Sequence, residues 1–132
     1  MTRHEAREQA FLLLFDKSFH PDLTVRETID LAAEDGIIEL DASYAELVTR
    51  ICETLEDVDA RIERNLKGWK VSRISRVSLA LLRLAVGELL YTDTPQGVVV
   101  NEAVLLSKCY AAEEETAFIN GTLRNMLRSE SE

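Results

Sequence analysis

Apolar residues recur at three- and four-residue steps along most of the chain, the spacing that places them on one face of an α-helix. Residues 2–17 form the first such stretch, with Ala6, Ala10, Leu13 and Leu14 as the stripe and Phe11 and Phe15 beside it. Thr2 followed by Glu5 has the form of a capping box, and Thr24 followed by Glu27 repeats it ahead of a second helix carrying Val25, Ile29, Leu31 and Ala32. Gly36 sits where a C-terminal glycine would end that helix. Asp41 or Ser43 then caps a third stretch, in which Tyr44, Leu47, Val48, Ile51, Leu55, Val58 and Ile62 predict one long amphipathic helix of about six turns. Residues 77–91 are apolar around nearly the whole circumference, which predicts the central helix of a bundle. Glu88 interrupts that helix and needs a partner, because an unpaired buried charge is costly. After a turn at Thr94-Pro95-Gln96-Gly97, residues 98–127 read as two helices joined by a short acidic link. Within that pair, Asn101 and Asn120 lie in apolar neighbourhoods and are expected to bond to backbone or to each other. Gly121 sits inside a helix, where glycine costs about 1 kcal/mol relative to alanine, and close approach of a neighbouring helix is its simplest explanation. The polar residues 129–132 read as a frayed tail.

The expected architecture is therefore all-α, about seven helices in one domain spanning residues 1–132. Composition agrees: hydrophobic residues are 46% and charged residues 30%, and 5 Gly with 2 Pro are too few for a turn-rich β fold. No apolar run approaches the ~20 residues that span a bilayer and no leader-like segment opens the chain, so the cytoplasm is the expected location. Cys52 and Cys109 have no metal-ligand spacing and read as buried free thiols; His4 and His20 are too far apart to complete a metal site with them.

Charge changes the picture more than composition does. The net charge is −9, which taken alone argues against a general nucleic-acid binder. Yet residues 61–83 hold Arg61, Arg64, Lys67, Lys70, Arg73, Arg76 and Arg83 against Glu63 alone, a local +6 with Gly68-Trp69 in a loop at its middle. Such a segment either steers an anion or pairs with the protein's own acids. Arg76 and Arg83, seven apart, fall on one helical face. Arg3 and Arg7, with His4 beside them, read as a solvated face or as a small cationic patch able to meet phosphate. Glu113, Glu114 and Glu115 stand where acids favour a helix start rather than in a metal-binding pattern. No phosphate-binding loop, zinc-protease motif or nucleophile motif is present, so no catalytic chemistry assembles from the sequence.

Four motifs carry a resemblance. They are R-x-x-A-R-E-x-A-F-x-x-L-F (residues 3–15), L-L-R-L-A-x-x-E-L (81–89), V-V-V-N-E-A-V-L-L-S-K (98–108) and F-I-N-G-T-L (118–123). Over nearly its full length the chain resembles the NusB family of bacterial transcription antitermination factors, and the N-E-A and F-I-N-G pair is the specific part. The resemblance implies two packed three-helix groups and no enzyme activity or cofactor. It implies binding of boxA RNA, notably in ribosomal RNA leaders, with the ribosomal protein NusE as partner in an antitermination complex on RNA polymerase. Carried over by position, Arg3, His4, Arg7, Phe15, Lys70, Arg73 and Arg76 are the candidate RNA contacts, and Glu113, Glu114 and Phe118 the candidate NusE contacts. A NusB-like module in rRNA modification and a helical homodimerisation module are the competing implications. With 132 residues the chain is expected to leave no room for the nucleotide-cofactor fold of the former, and the stand-alone factor is the preferred expectation. One departure matters. Members of the family often begin with a dense Arg/Lys cluster, whereas here Arg3, Arg7 and Lys17 are cancelled by Glu5, Glu8 and Asp16. Fewer phosphate contacts predict weak RNA binding by the isolated protein and stronger binding beside NusE.

Overall fold

A computed structural model describes residues 1–34, 36, 41–68 and 70–130; Trp69, placed in a loop from the sequence, lies outside the described residues. Seven α-helices, and no strand, occur among them: α1 Arg3–Ser18, α2 Val25–Glu34, α3 Ala42–Glu53, α4 Leu55–Arg64, α5 Arg76–Tyr91, α6 Gln96–Tyr110 and α7 Glu113–Glu130. A single 3-10 turn, Val71–Arg73, leads into α5.

The helix starts follow from local chemistry. Glu5 N donates to Thr2 Oγ1 at 3.0 Å and Thr2 N to Glu5 Oε1 at 3.3 Å, a closed capping box. Thr24 and Glu27 make the same reciprocal pair at 3.0 and 2.9 Å. Asp41 caps α3, accepting from Ser43 N and Tyr44 N, and Ser75 caps α5, accepting from Ser78 N. Gly36 adopts φ 66° and donates its N–H to Ala33 O, as a residue closing α2 should.

The single long helix expected from Tyr44 to Ile62 is two helices. Thr54 leaves helical geometry at φ −116°, ψ 27°. Its hydroxyl bonds back to Arg50 O at 2.8 Å and lies 2.7 Å from the Tyr91 hydroxyl of α5. A hydroxyl that competes for its own backbone favours such a break. Because only one residue is displaced, the apolar spacing runs on across it and gives no sign of the interruption.

α5 is the axis of the molecule. It packs against α1, α3, α4, α6 and α7, while α1, α2 and α3 pack on one another, α6 pairs with α7, and α4 rests on both α5 and α7. Phe11, Leu13, Ile51, Ile62, Leu81, Leu82, Leu106, Ile119, Leu123 and Met126 are fully buried between these elements. No helix among the described residues is long and apolar enough to cross a membrane.

The glycine that packing demands is Gly87, not Gly121. A Cβ on Gly87 would collide with the side chain of Ile51, so that α3 side chain packs directly on the α5 backbone there. A Cβ on Gly121 would meet nothing within 4 Å, and the residue is exposed. Gly121→Ala is therefore expected to raise stability by about 0.5–1 kcal/mol, read from urea unfolding, because it removes the helix penalty without creating a clash. A loss would mean that a close contact at Gly121 exists after all.

The expected Asn101–Asn120 contact is absent as well. Asn101 is exposed, and Asn120 Oδ1 accepts from Arg124 Nε one turn on in the same helix, at 3.1 Å. α6 and α7 are joined instead by Ser107 Oγ and Thr116 Oγ1, 2.9 Å apart across the Ala111-Ala112 link. Pro95 is the N-cap of α6, so Gln96 and Gly97 lie in the helix rather than in the turn. At the other end α7 runs on to Glu130, held where Ser129 Oγ and Asn125 Nδ2 reach Asn65 Oδ1 at 3.2 and 2.9 Å, so Ser129 belongs to the helix and not to a frayed tail. Cys52 is half-buried, with burial raising its thiol pKa, whereas Cys109 is exposed, contrary to the expectation of two buried thiols.

Candidate nucleic-acid and partner interface

The candidate residues fall into separate surfaces, set by which side of α1 and α5 each side chain leaves. At the start of α1, Arg3 is exposed and His4 Nδ1 lies 2.8 Å from Glu102 Oε2 of α6. Hydrogen bonds from Ser43 and Tyr44, aided by the charge of Arg3, hold the Asp41 carboxyl below its ordinary range.

Arg7 is not on that surface. It is 3% exposed, and its Nε and Nη2 donate to the two oxygens of Glu88 at 2.6 and 2.9 Å. Its Nη1 is 3.4 Å from Glu102, and its guanidinium lies 5.9 Å from the Tyr44 ring centre. Burial works against its charge, but the Glu88 bonds and the neighbouring carboxylates outweigh it and raise its pKa. The expected phosphate contact at Arg7 is therefore replaced by a buried ion pair that fastens α1 to α5 and supplies the partner that Glu88 requires. One helical turn separates Arg3 from Arg7, but only Arg7 falls within the seam with α5.

Much of the basic segment is likewise paired internally. Arg83 holds Asp59 with two bonds of 2.9 and 2.8 Å, and Arg61 and Arg64 both approach Glu130. Lys67, Lys70 and Arg73 are exposed and make no ion pair among the described residues. Arg76 donates to Ser18 O at 2.7 Å, and its guanidinium stacks 4.5 Å from the centre of the Phe19 ring.

Phe19 belongs to an aromatic ladder that the sequence reading passed over. Tyr110, Phe11, Phe15 and Phe19 succeed one another with ring centres 5.0, 6.2 and 5.1 Å apart, and Phe19 is 49% exposed. The four-residue spacing of Phe11, Phe15 and Phe19 was the available signal. At the other end of the ladder the Tyr110 hydroxyl donates to Glu8 at 2.7 Å; burial and this bond push its pKa up to about 12.

Two grooves among the described residues border the candidate side chains. The first, about 670 Å³, lies between the end of α1, the 3-10 turn and α5. Its lining is apolar at Leu14, Leu55, Val71, Ile74 and Leu79 and cationic at Lys17, Arg76 and Arg83. Arg76 and Arg83 thus share a face, as their spacing predicted. The second, about 250 Å³, is formed by Asn65, Leu66 and Lys67 facing Ala117, Phe118, Gly121 and Thr122. Glu113 and Glu114 are exposed in the first turn of α7, and Glu115 there accepts from Ala112 N. The start and end of α1 are about 22 Å apart, so Arg3 and His4 form one surface while Phe15 and Arg76 belong to another.

These features define an all-α domain whose distinctive chemistry is on its surface: exposed cations, an aromatic ladder and open grooves. The model of the NusB family matches residues 4–128. The chain is 41% identical to the transcription antitermination protein NusB of Exiguobacterium sp. over 98% of its length and all of that protein. It is 40% identical to the NusB of Clostridium acetobutylicum, over all of this chain and 99% of the relative. Among solved structures it is similar to T. maritima NusB, with a TM-score of 0.81 at 30% identity over 97% of this chain and 92% of that one. It is also similar to a chain in a crystal structure of antitermination factors NusB and NusE in complex with dsRNA, with a TM-score of 0.79 at 31% identity over 98% and 99%. The chain belongs to the NusB family.

Proposed function

We propose that this protein is a transcription antitermination factor that binds boxA RNA together with the ribosomal protein NusE and joins an antitermination complex on RNA polymerase, acting in the cytoplasm and without catalysis. The full-length match to antitermination proteins carries this reading. The likeness to NusB solved with NusE and dsRNA supports both ligand classes.

The surfaces divide the two ligands. The larger groove has the make-up of a protein-docking site, an apolar floor with aromatic and Arg residues at its margin. Phe15 and Arg76, candidates for RNA from the sequence, are therefore assigned to NusE together with Phe19. Arg3 and His4 at the other end of α1 are assigned to RNA. The smaller groove, with Phe118 on one wall and Lys67 on the other, has the residue types that hold an unpaired base beside its phosphate, which moves Phe118 to the RNA side. Lys70 and Arg73 are exposed cations available to the RNA strand, and Glu113 and Glu114 remain carboxylates available to a basic partner.

The test is binding of boxA RNA against a scrambled RNA, with and without NusE, at two salt concentrations. The expected result is weak, sequence-insensitive binding by the protein alone and boxA-selective binding with NusE present. Equal affinity for the scrambled RNA in the presence of NusE would refute the reading. Tight, salt-steep binding by the isolated protein would refute the dependence on NusE.

A further inference from the structure

α4 and α7 pack together, and their C-terminal residues meet. Helix C-termini carry partial negative charge from their unsatisfied carbonyls. Arg61 and Arg64, in the last turn of α4, complement that charge, whereas Glu130 at the end of α7 opposes it. Cations compensate for Glu130: its Oε1 lies 2.9 Å from Arg61 Nη1 and 3.9 Å from Arg64 Nη2. Two guanidinium groups thus converge on one oxyanion position.

An open cavity of about 670 Å³ surrounds that position, lined by Arg61, Arg64, Asn65, Asn125, Ser129 and Glu130. Asn65 is only 6% exposed and is anchored by Nδ2 to Arg61 O, and its Oδ1 fixes Asn125 Nδ2 and Ser129 Oγ. The Asn65, Asn125 and Ser129 wall of the cavity is therefore held by the fold, while the Arg61 and Arg64 guanidinium groups reach into it from the surface. Asn65 also lines the groove of Lys67 and Phe118, so Arg61, Arg64 and Lys67 border two adjoining cavities.

We propose that Arg61 and Arg64 form a phosphate subsite for the bound RNA strand, and that in the free protein the Glu130 carboxylate occupies it as an internal competitor. The proposal rests on the RNA-binding reading above for the source of the phosphate. A phosphodiester presents more acceptor oxygens to the two guanidinium forks than one carboxylate oxygen does. RNA entering the subsite expels Glu130, one anion for another, so the contact must first break the Glu130 ion pairs and gains less affinity while Glu130 is present.

The full chain with NusE, boxA RNA and a range of salt concentrations tests this. Glu130→Gln is expected to tighten RNA binding about 2- to 5-fold, the range of an exposed ion pair. The gain should shrink as salt rises, because the competition between Glu130 and phosphate is electrostatic and is screened. The gain should vanish when Arg61→Gln and Arg64→Gln are added. Glu53→Gln, an exposed acid of α3, should give a smaller change than Glu130→Gln. In the RNA-free protein, inorganic phosphate should shift the Arg61 and Arg64 Nε resonances at lower concentration in Glu130→Gln than in the parent. A Glu130→Gln protein that binds RNA no better than the parent, or a gain that survives loss of both arginines, overturns the proposal. If no form binds RNA, the functional reading falls instead, and the phosphate titration decides the subsite: no saturable shift overturns it.

Discussion

Glu88→Ala is expected to cost about 3–5 kcal/mol in urea unfolding, because it strands the Arg7 guanidinium in the core without its partner. Glu88 is 1% exposed and Arg7 3%, so water cannot take over the lost bonds, and the longer 3.4 Å contact of Arg7 with Glu102 replaces only part of them. Arg7→Ala should cost a similar amount by stranding the carboxylate. Arg7→Lys should not restore the parent stability, since an ammonium cannot reproduce the two parallel bonds to Glu88. Replacing both partners with apolar residues, as in Arg7→Met with Glu88→Leu, should recover most of the loss, because no unpaired charge is then buried. That double variant also tests the role of Arg7: it should still bind RNA beside NusE, since the guanidinium lies inside the bundle. A loss below about 1 kcal/mol for Glu88→Ala would contradict the buried pair.

Gly87→Ala is the second large effect, expected to cost about 1–3 kcal/mol by overpacking. The new methyl would occupy the position of the Ile51 side chain, which is fully buried and has little room to yield. Ile51→Ala alone should cost about 2–5 kcal/mol by leaving a cavity. Combined, the two changes should cost less than their sum, because the methyl added at Gly87 fills part of the space Ile51 vacates. Additive costs, or a neutral Gly87→Ala, would show that the Ile51 side chain does not pack directly on the α5 backbone at Gly87.

Gly87 and Gly121 mark the limit of what the chain alone discloses. Both are glycines inside helical patterns, and only the position of a neighbouring helix tells them apart. The capping boxes at Thr2 and Thr24, the central α5 and the need of Glu88 for a partner were legible because each depends on residues close in sequence or on one residue's burial. The break at Thr54 was hidden because the apolar spacing continues across it. The site was less legible than the fold. Residue type identified the cations, but pairing decides which of them are available, and pairing is tertiary: Asp59 takes Arg83, Glu130 holds Arg61, and Glu88 draws Arg7 inward. The split of the candidates between the two ends of α1 depends on the Arg76 contacts with Ser18 and Phe19, which join segments 58 residues apart.

The two ends of α1 are proposed to serve different ligands, RNA at Arg3 and NusE around Phe15 and Arg76. The most direct test of this division is to measure NusE affinity and boxA affinity separately for Arg3→Glu and Arg76→Glu. Arg3→Glu is expected to lower RNA affinity at saturating NusE while leaving NusE binding intact. Arg76→Glu is expected to weaken NusE binding and to lose RNA only to the extent that NusE is lost. Arg76→Glu proteins that bind NusE normally but fail to bind RNA would contradict the division.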